Sequence, residues 1–354
     1  MNKFLTMVLV ATALLTSCSN EDNGTENNGG DSSMRVKISY GSTTSTYALD
    51  TPLNAGSHTT LGSAILYQMT GTNVFKAIEM TPEQVNAMLS QTGCTIENIN
   101  SAVDAVMIVG NPTGSTADMK LLKTKKAIEE YAIDVASQQG SGVTNVTIMG
   151  YGVATSSGTA TDGHNLKVAS VVAAPVVARL EVAGKVSISS DPTNNLKSIT
   201  WKTVYFNRYY TTLTKNILQT YEPTTWNNIP SWAKTTYSSE VENKAKCFAY
   251  QFFPAAADKS SADVLPMIVM QADIVVTEDG QDVEKKGKYL NLKSYKKGNA
   301  ALTIMEANKI YKVDLGSLTL SHEDFTDEPN PAQADLSIKV EIADWAVENI
   351  TPEK

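Results

Sequence analysis

Cysteine is nearly absent from this chain: 3 of 354 residues, at Cys18, Cys94 and Cys247. So few, so far apart, cannot staple a small fold, and Cys94 and Cys247 read as buried small hydrophobes rather than disulfide partners. Excess positive charge is also missing. Against 29 Lys and Arg stand 37 Asp and Glu, a formal net charge of -8, which argues against nucleic acid, whose phosphates require a basic face, and gives no attraction to an anionic membrane surface. The three histidines, His58, His164 and His322, lie too far from one another and from cysteine to form a zinc site. The apolar run behind Lys3, residues 4–15, is far shorter than the ~20 residues that span a bilayer.

Sites for chemistry are equally scarce. Ser294-Tyr295-Lys296-Lys297 matches the Ser-x-x-Lys pattern of serine acyl enzymes but falls at the end of a predicted strand rather than at a helix start. Gly150-Tyr151-Gly152 continues to Gly158 with the wrong spacing for a dinucleotide loop. The acidic run 322–328 lacks the alternating ligands and central glycine of a calcium loop. No enzyme, metal site or cofactor is expected.

What is present begins with Leu15-Thr16-Ser17-Cys18, which ends the short apolar run as a bacterial lipobox. Residues 1–17 read as a lipoprotein signal peptide, and Cys18 as the site where acyl chains such as palmitate attach the precursor to a membrane. Residues 18–33 then form a flexible acidic tether. From Ser19 on, this stretch has no aliphatic or aromatic side chain with which to fold.

The body of roughly 320 residues exceeds what one core usually supports, so two domains are expected, 34–174 and 175–354. Residues 34–40 alternate strictly, with Met34, Val36, Ile38 and Tyr40 on one face and Arg35, Lys37 and Ser39 on the other, the mark of a half-buried strand. Residues 41–60, rich in Ser, Thr and Gly, read as a long exposed loop open to proteolysis. Strands are expected over 63–70, 74–80, 105–109, 143–151 and 166–182, the last interrupted by Pro175, where the domain boundary is placed. Thr81-Pro82-Glu83 opens a short helix. The spacing of Leu121, Ile128, Tyr131, Ala132 and Val135 predicts one long helix over 115–138. The second half is mostly extended, with strands expected over 199–205, 246–253, 264–276, 289–294, 301–306 and 309–320. The aromatic stretch holding Trp226, Trp232 and Tyr237 forms an irregular loop or, alternatively, a stacking platform for sugars. The fold class is mainly β with a few helices, as two β-sandwich-like modules.

The chain closes on a strongly patterned strand. Leu336, Ile338, Val340 and Ile342 alternate with polar residues, and the parity shifts at Ala343-Asp344 so that Trp345 and Val347 continue it, which calls for a bulge.

In this order the parts resemble the fimbrillin family, subunits of type V pili. The residues that carry the resemblance are the lipobox at Cys18, the first strand 34–40, the run Val177-Ala178-Arg179-Leu180-Glu181-Val182, the run 307–315 and the closing strand with Trp345. The resemblance implies two tandem transthyretin-like β domains and export as an outer-membrane lipoprotein precursor. A protease then removes the first strand (Met34, Val36, Ile38, Tyr40), and a neighbour's C-terminal donor strand (Leu336, Ile338, Val340, Ile342, Trp345, Val347) refills the groove. Its partners would be other copies of itself or related pilins, head to tail in a cell-surface fimbrium that supports adhesion. Oral relatives are cut after an arginine in this loop, yet no Lys or Arg occurs between Ile38 and Phe75. Either a protease of other preference cuts near Tyr47-Ala48, or the subunit stays uncut as an anchor or tip. N-terminal sequencing of protein shed from cells is expected to find a start within 41–60; a retained, acylated Cys18 would instead identify an uncut anchor.

Overall fold

The structure is a computed structural model that describes residues 32–40, 48–50, 61–139, 146–160, 163–206, 210–212, 233–254, 265–292, 294–329 and 337–344. Cys18, Tyr47, Leu336, Trp345 and Val347 lie outside them. The described chain is mainly β, with three α-helices. The first half runs β1 (Ser32–Tyr40), β2 (Ala48–Asp50), β3 (Ala64–Thr70), β4 (Asn73–Met80), α1 (Pro82–Leu89), β5 (Cys94–Ile99), β6 (Ala105–Gly110), α2 (Thr116–Lys120), α3 (Lys125–Glu129), β7 (Ala132–Asp134), β8 (Ile148–Thr159) and β9 (Asn165–Pro175). The second half runs β10 (Ala178–Ala183), β11 (Ser187–Ile188), β12 (Leu196–Phe206), β13 (Tyr210–Thr212), β14 (Ala233–Thr236), β15 (Cys247–Phe252), β16 (Ile268–Glu278), β17 (Gln281–Leu292), β18 (Ser294–Lys297), β19 (Ala300–Ala301), β20 (Lys309–Asp314), β21 (Thr319–Leu320) and β22 (Ser337–Asp344).

One seven-stranded sheet has the order β4-β3-β6-β8-β9-β1-β5, and all seven strands send residues into a single core that α1 closes with Val85 and Met88. A sheet whose opposite ends share one core must curl around it. Its other face carries a second cluster, in which Met119, Ile128 and Ile133 cover Ile65, Tyr67, Met107 and Val109. The other seven-stranded sheet, β19-β18-β22-β20-β10-β15-β2, shares a large core with the four-stranded sheet β14-β12-β16-β17. Pro175 is the last residue of β9 in the first sheet, and β10 begins three residues later in the second. Proline lacks the N–H that a continuing ladder would need.

Several expectations are corrected. The single helix over 115–138 is instead α2, α3, β7 and a 3-10 turn, Val135–Gln138. Thr124 starts a new helix by accepting the Ala127 N–H at 3.1 Å. On either side of Thr124 the backbone is drawn onto the start of β4, where the Lys123 carbonyl accepts from Val74 and the Lys125 N–H donates to Thr72. Leu121, expected on the buried face, is 68% exposed. Residues 41–60 are not loop throughout, because β2 pairs with β15, Ala48 opposite Ala249. The strand expected over 301–306 shrinks to β19, and 309–320 breaks at a 3-10 turn, Leu315–Ser317, where Asp314 accepts the Gly316 N–H. No bulge falls at Ala343-Asp344: β22 stays in register with β20 from Val340 to Asp344.

Gly150 and Gly152 serve packing, not nucleotide binding. They lie on β8 where β9 crosses so closely that a Cβ at Gly152 would sit 2.5 Å from the Ser170 carbonyl oxygen. That neighbour is backbone and cannot swing away. Gly152→Val is expected to lower stability by ~2 kcal/mol or more, read as a lower urea midpoint; an unchanged midpoint would contradict this packing.

Candidate functional site

The alternating residues at the start of the chain build the site. β1 inserts between two strands that never approach one another in sequence. It runs parallel to β9 over its whole length, from Ser32 opposite Asn165 to Tyr40 opposite Ala173, and antiparallel to β5 from Ser32 to Val36. Met34, Val36 and Ile38 are buried, at 0%, 0% and 3% exposure, among Val85, Met88, Cys94, Ile96, Ala169 and Val171. Arg35 and Lys37 point to solvent. Burial at ~1.5 to 3 kcal/mol for each of the three apolar side chains contributes roughly 4.5 to 9 kcal/mol. Losing β1 would therefore leave an apolar trough flanked by two unpaired strand edges.

Two local devices hold the slot in shape. α1 begins with a reciprocal cap: the Gln84 N–H donates to Thr81 Oγ1 at 3.3 Å, and the Thr81 N–H donates to Gln84 Oε1 at 2.8 Å. In the same first turn, hydrogen bonds from its own backbone N–H and from the Thr81 hydroxyl hold the Glu83 carboxyl below the usual range. The turn into β5 uses Gly93 at φ 74°, where any Cβ would lie 2.8 Å from the Val36 carbonyl oxygen. Only glycine lets β5 come alongside β1 here.

The slot is uneven. β5 flanks β1 only as far as Val36, so Lys37 to Tyr40 pair with β9 alone among the described residues. A strand held on one side opens at lower cost than one held on both, so the Tyr40 end is the less firmly held end of β1.

The closing strand also has one parallel and one antiparallel neighbour, but along successive stretches rather than the same residues. β22 runs parallel to β18 from Ser337 to Lys339 and antiparallel to β20 from Val340 to Asp344. Ile338, Val340 and Ile342 thus lie in a strand inside this chain's own second sheet.

Other sequence candidates are used structurally. Ser294 and Lys297 lie three apart on β18, so they face opposite sides of the strand and cannot cooperate. The 322–328 run docks on β17 through paired Thr326–Tyr289 backbone hydrogen bonds and a Lys288–Asp327 ion pair. Of the residues considered for a sugar platform, Trp226 and Trp232 lie outside the described residues, and the Tyr237 ring packs 6.2 Å from Trp201 and 5.6 Å from Phe248 while its hydroxyl donates to Glu242. Cys94 and Cys247 are both buried, in different sheets.

Hydropathy reading passes over a buried charged pair on an inner strand of the second sheet. Arg179 and Glu181, 1% and 2% exposed, meet at 2.7 Å on the face of β10 turned away from Leu180 and Val182. Lys312 lies 3.9 Å from the second Glu181 oxygen. Their only sequence signal is period-two placement within an otherwise apolar strand.

Among the described residues no helix is long and apolar enough to cross a membrane. No family model and no curated protein matches the sequence. Solved structures do. A fimbrilin from Porphyromonas gingivalis superposes with a TM-score of 0.55 at 14% identity, over 90% of this chain and 99% of the other. A protein from Parabacteroides distasonis assigned to cell adhesion gives 0.53 at 15% identity, over 90% and 98%. Another from Bacteroides eggerthii, likewise assigned to cell adhesion, gives 0.51 at 11%, over 91% and 95%. At such identities the likeness establishes the fold, shared nearly end to end with a fimbrilin.

Cys94 stands directly opposite Val36 at 1% exposure, which makes its thiol a reporter of β1. In a chain starting at residue 32, Cys94 is expected to resist thiol reagents. Cleavage that releases β1 should expose it, and adding β1 as a peptide should protect it again. Equal labelling before and after release would show that β1 does not seal the trough.

Proposed function

We propose that this chain is a fimbrillin-family structural subunit of a cell-surface pilus, without enzymatic activity, which polymerises with copies of itself or related pilins and supports adhesion. One observation carries this reading: a terminal strand at each end of the chain occupies a slot with one parallel and one antiparallel neighbour, β9 and β5 for β1, β18 and β20 for β22. A strand that satisfies one slot has the polarity to satisfy the other. Near-complete coverage of a fimbrilin fold supports the same reading.

In this proposal the precursor is exported by its signal peptide and held at the outer membrane by acyl chains on Cys18. Its described body forms two tandem transthyretin-like modules that meet at Pro175. Proteolysis near Tyr47-Ala48 frees β1, and the vacated trough takes the closing strand of a neighbour, with Leu336, Ile338, Val340, Ile342, Trp345 and Val347 as donor residues. Because the donor leaves one subunit and enters the next in a single sense, the contact is heterologous and does not close, which yields a filament. Donating β22 also has a cost within the subunit. It must leave β18 and β20, which separates the β18–β19 hairpin from the remainder of its sheet.

The uncut anchor or tip role is the second reading. It is favoured by the absence of Lys and Arg between Ile38 and Phe75 and by the pairing of Ala48 into the β15 ladder, where backbone cannot enter a protease cleft without first unpairing.

Three variants test the assignment by electron microscopy of filaments and by thermal unfolding. Leu336→Asp with Ile338→Asp is expected to block polymerisation, and so is truncation after Asp344, which keeps β22. Filaments of normal length from both would refute strand donation. Unfolding of a subunit truncated before Leu336 would make β22 a static part of the fold.

A further inference from the structure

β15 is the strand next to the β2 end of the second sheet, and its outer edge is closed in an unusual way. β2 covers only part of it, with Asp50 opposite Cys247 and Ala48 opposite Ala249. β15 runs on through Phe252. Alternate residues of an antiparallel strand present their N–H and C=O to the same side, so the next outward-facing backbone pair belongs to Gln251. There the Gln139 side chain takes over. Its Oε1 accepts the Gln251 N–H at 3.0 Å, and its Nε2 donates to the Gln251 carbonyl oxygen. One carboxamide thereby reproduces both hydrogen bonds that a residue of a paired strand would make. Gln139 and Gln251 are buried, 112 positions apart in sequence, and the 3-10 turn Val135–Gln138 that carries Gln139 packs on β15.

We infer that Gln139 is a strand surrogate that, together with β2, closes the lateral edge of the second sheet against pairing with a second copy of this chain. A second copy is the occupant that the edge would accept. Two β15 edges meeting antiparallel about Ala249 would set Ala249 against itself and Cys247 against Gln251, so small side chains lie at the centre of one face and the backbones can approach. Phe248, Tyr250 and Phe252 face the subunit's own core and do not obstruct. Such a contact is isologous and closes as a dimer. It would withdraw subunits from any head-to-tail assembly, which is the reason to keep the edge shut. The inference stands apart from the strand-exchange reading and concerns a different sheet.

The test uses the chain from residue 18 onward with Cys18→Ser, and Gln139→Met, Gln139→Glu and Asp50→Pro introduced singly, plus the Gln139→Met/Asp50→Pro double variant. Hydrogen exchange followed by NMR is expected to show the Gln251 amide exchanging at least about tenfold faster in Gln139→Met. In Gln139→Glu, which keeps the acceptor, that amide should stay protected. Asp50→Pro, which removes the N–H facing Cys247 and sets the proline ring into the three-residue ladder, should free the Cys247 and Ala249 amides, and the double variant should sediment as a concentration-dependent dimer while the parent stays a monomer. Unchanged protection of Gln251 in Gln139→Met, with cooperative thermal unfolding retained, would overturn the surrogate role. A double variant whose edge amides are open but which remains monomeric would overturn the second copy as the partner excluded.

Discussion

Everything in the first half of this molecule depends on one strand being held between partners distant in sequence. β1 precedes all other described elements, yet lies inside its sheet, with β9 about 130 residues away supplying a parallel ladder along its full length. Parallel neighbours cannot be joined by a tight turn, so β1 is added to the sheet by docking rather than by a hairpin. The core beneath it, the capped helix over it and the glycine turn beside it are arranged around its three apolar side chains. A strand added by docking can in principle be removed, and its removal leaves a defined apolar trough. On that property, more than on any surface feature, the proposed assembly rests.

The two halves of the chain are bound to one another by backbone as much as by apolar contact. β2 leaves the first half to pair with β15, β7 pairs with β13, and Gln139 clamps Gln251. Phe253 packs with Val176, Val177 and Met107 in the cluster on the outer face of the first sheet. These links bring unlike polarities together: the clamp is a satisfied buried amide, and the nearby Arg179–Glu181 pair is a desolvated charge pair. Buried ion pairs gain little net stability because desolvation offsets attraction, but losing one partner is costly. Arg179 and Glu181 share β10, and the Lys312 contact to Glu181 carries the charge across to β20.

Agreement with a fimbrilin over almost the whole chain at 14% identity shows how little of this architecture resides in particular side chains. A curled sheet around one core demands alternation, a few glycines at close crossings and a proline where a ladder stops. Many sequences meet those terms. The exposed faces are then free to vary.

Strands with one face in a core were legible in the sequence because period two is a local property: β1, β9 and β10 could be read from their own residues. The break at Pro175 was legible because a missing N–H is a covalent fact. The first half of β17, Gln281 to Lys288, was not. It carries almost no apolar residue, and it is a strand because Asp279 and Gly280, both at positive φ, turn it back onto β16. The long helix failed because backbone groups around Thr124 found partners on β4, a competition no helical spacing reveals. Three residues of β2 carry no period at all, and Gln139 reads as an ordinary polar residue until Gln251 is brought against it. The sequence by itself determined which segments could be extended and which side chains needed burial, since both follow from neighbours along the chain. Tertiary structure alone decided which edges those segments occupy, because the hydrogen bonds that choose an edge are made to backbone groups remote in sequence.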